Sequence, residues 1–395
     1  MQGKGKLAVL QVTPALDAGG VERTTIEIAE ALTRAGGRAV VASRGGRMEA
    51  ELAAAGGHLV AMPLDSKNPL TMLANIGRIA ALAKKSNVSI IHARSRAPAW
   101  SAWFAARRLG LPFVTTYHGV YNGTSGLKKF YNSIMARGDV VIANSDYTRA
   151  HVLKVHHVSA DRVVSIPRGV DLERFNPAHV ETVRIADMRR LWNIAPNDVR
   201  PIVLLPARLT TWKGQRVLIE AAARIESERP GTALYVLAGD SQGRAEYVSD
   251  LHNLARKLGV GEQVRIVGHL VDMPAALMAA SVAVFPVTDP EAFGRAAVEA
   301  QAMGVPVVAS ALGGYTETVV DGDSGFLVPA GDAGRLATSI ERVLALSPDQ
   351  HRAMGERGAA RVRARYSVDA LQAATLGVYE RLLAKGVKAR KVTGQ

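Results

Sequence analysis

The stretch Asp289–Ser310, DPEAFGRAAVEAQAMGVPVVAS, decides how this chain reads. It follows an apolar run, Val282–Val287 (VAVFPV), and ends in another, Val305–Ala309 (VPVVA). The Ala-rich residues between them predict a helix of about four turns, stopped by Gly304. The unit is therefore strand, loop, helix, strand, with Glu291, Ala292, Phe293 and Gly294 leading into the helix and Glu299 on it. A helix start reached through a glycine bend offers unpaired backbone N–H groups and a positive dipole end, both suited to a phosphate. Gly294 lacks a Cβ, so a bulky anion can approach the backbone there. Glu291 and Glu299 stand eight positions apart. On one continuous helix that is a rotation of roughly 80°; with Glu291 in the loop, both carboxylates can reach one crevice. Beside a phosphate site, carboxylates suit hydroxyl groups, which donate hydrogen bonds to them. Two hydroxyl readers flanking a phosphate cradle describe a nucleotide-sugar. For the two glutamates taken alone, a surface helix with solvated acids is the plainer alternative.

Outward from this stretch, strand-like runs alternate with helical ones along the whole chain. Leu7–Val12 (LAVLQV) is a buried-strand pattern, followed by a loop ending in Gly19-Gly20, an amphipathic helix to about Arg34 and a further strand, Arg38–Ser43. Strand–helix–strand order argues for parallel sheets with right-handed crossovers. Gly19-Gly20 lacks the spacing of the dinucleotide-binding glycine fingerprint and by itself marks only a turn. Phe113–Tyr117 runs into His118-Gly119, which places a histidine at a strand's C-terminal end, where doubly wound sheets carry functional groups; a structural histidine is the alternative. The second half opens with Ile202–Leu205. In the loop after it, Arg208 and Lys213 offer a planar fork and a point charge able to neutralise two phosphates, or simply two surface charges. Leu234–Ala238 leads into Gly239-Asp240, and Val264–Val267 into Gly268-His269. The irregular, charged segment 171–200, with Pro177 and Pro196, reads as the connection between domains.

Composition sets the outer bounds. The 395 residues allow two domains of ordinary size, and 48% hydrophobic with 21% charged residues is a soluble profile. Cysteine is absent, which excludes disulfides and cysteine–zinc sites. The apolar run in MQGKGKLAVLQVTP is too short for a signal-peptide core, and no stretch reaches the ~18–20 apolar residues of a membrane span. A cytoplasmic protein is the expectation. The net charge of +14 is uneven: through Val170 there are 22 Lys+Arg against 10 Asp+Glu, and beyond it 27 against 25. The basic first half suggests an anionic partner or a solvated face. Lys84, Lys85, Arg94, Arg96, Arg107, Arg108, Lys128 and Lys129 are its candidate contacts with such a partner, a lipid surface, an acidic glycan or a nucleic acid. Gly126–Arg137 reads either as a core helix or as an amphipathic helix at a membrane interface.

Taken together, AGGVE (Ala18–Glu22), YHG (Tyr117–Gly119), IPRGVDLERFNP (Ile166–Pro177), ARLTTWKG (Ala207–Gly214), AGD (Ala238–Asp240), VGH (Val267–His269), the Pro290–Ser310 stretch, GGYTE (Gly313–Glu317) and DGDSGFLVP (Asp321–Pro329) run in the order of a known family. The chain resembles the retaining nucleotide-sugar glycosyltransferases of the GT-B fold, family 4, in motifs that span almost its whole length. That resemblance implies an α/β chain of two Rossmann-like, doubly wound domains facing across a cleft. Residues 1–170 would form the acceptor side, with a C-terminal helix at about 368–384 packed back on it. Residues 171–200 would link it to the nucleotide-sugar side, 201–367, and a flexible tail would occupy 385–395.

The resemblance also implies roles. Glu291 would read a donor sugar hydroxyl and Glu299 the nucleotide ribose. Arg208 and Lys213 would neutralise the diphosphate, Gly19 and Gly20 would let the substrates approach, and His118 would lie near the transferred sugar. Gly239, His269, Ala292, Phe293 and Gly294 would complete the donor site. Neither a metal nor a cofactor is implied, the nucleotide-sugar being a substrate. Pro206-Ala207 stands where many relatives carry glycine, and Tyr315 falls in the GGYTE loop, where it bears on sugar preference. The expected partners are a nucleotide-sugar and an anionic glycan or lipid-linked acceptor, with peripheral contact at the cytoplasmic face of the inner membrane and no nucleic acid. The rival readings are a GT-B sugar-nucleotide epimerase, a Rossmann dehydrogenase and a non-catalytic nucleotide-sugar-binding protein.

Overall fold

A computed structural model describes residues 7–17, 19–121 and 125–384. The tail 385–395 and Ala18 of the AGGVE stretch lie outside the described residues. The chain divides into two compact units: one runs to Arg168 and resumes at Val368, and the other is Gly169–Ser367.

The first unit is built on seven parallel strands: β1 Ala8–Val12, β2 Arg38–Ser43, β3 His58–Ala61, β4 Ile90–Ala93, β5 Phe113–Tyr117, β6 Val140–Ala143 and β7 Val163–Ser165. Their order across the sheet is β3-β2-β1-β4-β5-β6-β7. The second unit has six: β8 Ile202–Pro206, β9 Leu234–Ala238, β10 Val264–Gly268, β11 Val282–Phe285, β12 Val307–Ser310 and β13 Gly325–Val328. Their order is β10-β9-β8-β11-β12-β13, again with every neighbouring pair parallel. Near-continuous apolar runs form these strands because both faces of each sheet are covered. Along β8 the burial alternates between two cores: Ile202 and Leu204 join one, Val203 and Leu205 the other. In β1, Leu10 and Val12 face one core of the first unit and Val9 the other. Both sheets are thus doubly wound, and each reverses its winding once, between β1 and β4 and between β8 and β11.

Two expectations change. The segment 171–200 is no free connection: it belongs to the second unit, where Phe175, Met188, Trp192 and Ile194 are buried in the core beside Ile202 and Phe285. Each such side chain contributes about 1.5–3 kcal/mol of burial, enough to hold a charged and irregular segment in place. The helix of the central stretch is also shorter than expected, Arg295–Ala302. Gly294 precedes it at φ 87° and Gly304 follows it at φ 70°, both left-handed positions that favour glycine. The final helix, Val368–Ala384, lies in the first unit, where Tyr379 Oη meets Nδ1 of the buried His92 at 2.6 Å.

Candidate active site

In the second unit the loops at the C-terminal strand ends converge where the winding reverses, the usual position of a ligand crevice in such sheets. The loop after β8 and the loop after β11 meet backbone to backbone. A Cβ at Gly214 would lie 1.8 Å from the Pro286 carbonyl oxygen, and Thr288 N–H donates to Trp212 O at 2.9 Å. This contact brings two residues 78 positions apart together: Lys213 Nζ lies 2.5 Å from Glu291 Oε2, with the side chains only 14% and 22% exposed. The ammonium also sits 4.1 Å from the centre of the Trp212 ring, a further stabilising contact for a cation.

Glu291 is in the loop, as the second of the two sequence geometries required. It forms an isolated parallel bridge with Gly313, and Gly314 N–H donates to Glu291 O at 2.7 Å. The glycine pair is demanded by that contact: a Cβ at Gly313 would stand 2.2 Å from Glu291 O, and one at Gly314 2.5 Å from Phe293 Cα. Beneath the bend lies Tyr315, buried and stacked on Phe285 at 5.7 Å. A Cβ on Gly294 would come within 2.5 Å of its ring. Burial, and then the Glu291 carboxylate, raise the Tyr315 phenol well above its ordinary value, so it is neutral at all working pH. Tyr315 is a buttress under the loop that carries Glu291.

The other expected residues sort by their surroundings. Arg208 is exposed in the loop after β8, its carbonyl held by Gln215 Nε2 at 2.9 Å. Glu299, one helical turn beyond Arg295, accepts from Arg295 Nε at 3.1 Å and is largely covered. Gly239 passes so close to the Ala207 carbonyl that a Cβ would lie 1.9 Å from its oxygen. Ala292 and Phe293 turn their side chains into the core, where Phe293 meets Tyr366 edge-on at 5.6 Å; only their backbone is left to meet a ligand. His269 is exposed after β10, at the sheet edge and two strands from β8, which puts roughly 10 Å of sheet between their strands. No hydrogen bond or ion pair joins its side chain to Lys213 or Glu291.

In the first unit, Gly19 (φ 140°) and Gly20 open the helix Gly20–Arg34, and His118 follows β5. Between them stands a residue that sequence reasoning missed, Arg168. Its Nη1 fills the space a Gly20 Cβ would take, at 1.5 Å from that position, and its Nη2 donates to His118 Nδ1 at 3.0 Å. The only signal was its place in IPRGVDLERFNP after β7. Burial, and then the Arg168 cation, hold the His118 imidazole well below the ordinary histidine value.

Some of the basic residues proposed as contacts with an anionic partner are engaged elsewhere. Arg94 is buried and donates from Nε to Gln11 Oε1 at 2.7 Å. Arg107 pairs with Asp139 at 2.9 Å in a nearly covered contact, and Arg96 binds Asn132 and lies over the Tyr121 ring at 4.3 Å. Lys84, Lys85, Arg108, Lys128 and Lys129 are exposed. Among the described residues no helix is long and apolar enough to cross a membrane.

The two doubly wound parallel sheets match those of GT-B glycosyltransferase structures. The chain belongs to the family-4, group-1 glycosyltransferases. Residues 18–174 match the model of Glycosyltransferase Family 4 and residues 191–361 that of Glycosyl transferases group 1. It is 30% identical to D-inositol 3-phosphate glycosyltransferase 2 of Catenulispora acidiphila over 77% of this chain and 73% of the relative. With the D-inositol 3-phosphate glycosyltransferase of Xylanimonas cellulosilytica it shares 29% identity over 92% of both chains. The crystal structure of a glycosyltransferase from Rickettsia africae ESF-5 superposes with a TM-score of 0.88 at 34% identity, covering 96% of this chain and 99% of that one. Anabaena Alr3699/HepE in complex with UDP-glucose has the same fold, with a TM-score of 0.81 at 24% identity over 96% and 100% of the two chains.

Proposed function

We propose that this glycosyltransferase is a retaining, metal-independent enzyme. It moves a sugar from a nucleotide-sugar, a UDP-sugar before GDP-mannose, to a hydroxyl of an anionic glycan or lipid-linked acceptor, as in lipopolysaccharide, glycolipid or exopolysaccharide synthesis. The observation that carries this reading is the Lys213–Glu291 pair at the winding reversal of the second sheet, with the exposed Arg208 on the same loop. A diphosphate entering there meets Arg208 and Lys213, which take the charge-neutralising role a metal would otherwise have. Glu291, relieved of its lysine by the phosphates, accepts a hydrogen bond from a sugar hydroxyl, and Glu299 one from the ribose. The cations act chiefly as the leaving nucleoside diphosphate gains charge, so they favour the transition state over the bound donor. The acceptor hydroxyl attacks the anomeric carbon on the face that the leaving group departs, and a donor phosphate oxygen takes its proton. An anionic acceptor accords with the basic first half and with the phosphorylated inositol named in the relatives; a UDP-sugar is the donor held by the Anabaena protein of the same fold.

Incubation with a panel of sugar nucleotides, in chelator, with either bacterial lipid extract or inositol phosphate, tests donor and acceptor together. The expected result is nucleoside diphosphate release with one donor, dependent on acceptor, and an unchanged anomeric configuration by NMR. Donor conversion without any acceptor would establish the epimerase reading instead, and no release from any donor would remove the transferase reading.

Peripheral membrane contact is part of the same proposal. Leu70, Leu73, Phe104, Leu127 and Phe130 are exposed on the first unit, Leu127 at 84%. A groove of about 360 Å³ runs among Met72, Leu73, Ile76, Trp100, Phe104 and Phe130, with Lys67 on its wall, and Lys128 and Lys129 adjoin Leu127 and Phe130 in sequence. Apolar side chains beside lysines suit the boundary of an anionic leaflet. Sedimentation with anionic liposomes should exceed that with neutral ones at low salt, and Lys128→Glu with Lys129→Glu should abolish the difference. Equal partitioning of the unaltered protein would count against the contact.

A further inference from the structure

We infer that Arg168 is a positioning residue that locks His118 as the Nε2–H tautomer, making the imidazole a fixed hydrogen-bond donor with no lone pair left for acid–base work. The inference rests on the reading of the Gly19–Gly20 and His118 corner as part of the transfer site.

A guanidinium has donors and no acceptor, so the 3.0 Å contact from Arg168 Nη2 obliges Nδ1 of His118 to accept. The ring's one proton must then sit on Nε2. That nitrogen is buried and has no hydrogen-bond partner among the described residues, and the same holds for Oδ1 of Asn144. Both residues line one small cavity of about 10 Å³, with Thr24, Thr116 and Arg168 on its polar side and Ile142, Ile166 and Leu371 on its apolar side. Such a space holds about one water molecule. A water there would accept from His118 Nε2–H and donate to Asn144 Oδ1. Asn144 also fixes the histidine's backbone, donating from Nδ2 to His118 O at 3.2 Å.

Gly20 is the other half of the device. The guanidinium occupies the volume a side chain at position 20 would fill, so glycine there makes room for the chain's own arginine. The charged and titratable groups around His118 are Arg168 from the loop after β7, His92 and Arg94 from β4 and the residue after it, Tyr121 at the His118 backbone, and Glu22 near Arg168 on the first helix. His92 is itself held between Tyr379 and Thr116, and the cations outnumber the single nearby carboxylate. A positive neighbourhood keeps the imidazole neutral as pH falls. Since both ring nitrogens are committed, the acceptor's proton has to leave by another route, which agrees with its capture by a donor phosphate oxygen.

The test is nitrogen NMR of the full chain labelled at histidine, with the His118 signals assigned by their loss in His118→Gln. The expected pattern is a pyrrole-like Nε2 and a pyridine-like Nδ1 that persist well below pH ~6.5, the ordinary histidine value. In Arg168→Met the tautomers should mix and the ring should titrate at higher pH, because a neighbouring cation has gone. Turnover should fall by roughly 10- to 100-fold, by analogy with the partners that orient metal-bound histidines, with an added decline on the acid side and little change in donor KM. Arg168→Lys should restore part of the tautomer preference. Gly20→Ala keeps the arginine but expels its guanidinium, and should reproduce the mixed tautomers. A proton on Nδ1 in the unaltered protein, or an unaltered tautomer in Arg168→Met, would overturn the lock. The unaltered protein's spectrum decides this even if the variants do not fold, and independently of whether any donor is turned over.

Discussion

Lys213→Ala should lower turnover by at least ~10²-fold, the loss that follows removal of one preorganised donor to developing charge. The same substitution leaves Glu291 with its carboxylate mostly covered and without its counterion. A half-satisfied, partly buried charge costs about 1–3 kcal/mol, so the variant should also unfold at lower denaturant concentration. The two losses have different origins and can be separated. In Lys213→Ala with Glu291→Ala, the orphaned carboxylate disappears, so stability should recover most of the way, whereas turnover should stay at least as low as in either single variant. Arg208→Ala should match the loss of turnover and leave stability close to that of the unaltered protein, since its guanidinium is exposed. Steady-state kinetics and urea titrations of the four variants measure both quantities. Near-normal transfer by Lys213→Ala and Arg208→Ala would remove these residues from the diphosphate site.

What the sequence disclosed, and what it hid, follows from the range of the forces involved. Strand runs such as Val282–Phe285 announce themselves because a sheet covered on both faces needs consecutive apolar residues. Glu291 and Lys213 were legible as residues but not as a pair: their contact depends on two loops meeting at Gly214 and Pro286, 72 positions apart. The helix length was misjudged because an Ala-rich stretch favours helix locally, while pairing of Glu291 with Gly313 draws the first residues into an extended bend. Segment 171–200 looked like a linker because its buried anchors, Phe175, Met188, Trp192 and Ile194, are few and unevenly spaced in a stretch where ten of thirty residues are charged. Counting charge gave the basic first half correctly but could not tell Arg94, bound to Gln11 in the interior, from the exposed Lys128. Arg168 was hidden for the same reason, since its partners His118 and Gly20 lie 50 and 148 positions away.

Gly214→Ala should be the most destabilising single-methyl change at the site. Gly214 holds φ 78°, where a residue with a Cβ pays about 1–2 kcal/mol. The added carbon would also lie 1.8 Å from the Pro286 oxygen and 2.6 Å from its carbonyl carbon, backbone atoms that cannot rotate away. Forced expansion of a close contact costs a further ~1–3 kcal/mol. At roughly 2–4 °C per kcal/mol for a unit of this size, the melting temperature should fall by roughly 4–20 °C. Gly259→Ala supplies the comparison: φ there is 77°, yet nothing lies within 4 Å of the place its methyl would take, so only the dihedral cost applies and the fall should be about 2–8 °C. Calorimetry of the two variants separates backbone preference from close approach. Equal shifts would show that the loop after β8 can yield from β11 without cost. A larger shift in Gly214→Ala, together with lost turnover, would tie the Lys213–Glu291 geometry to the close backbone approach of Gly214 to Pro286.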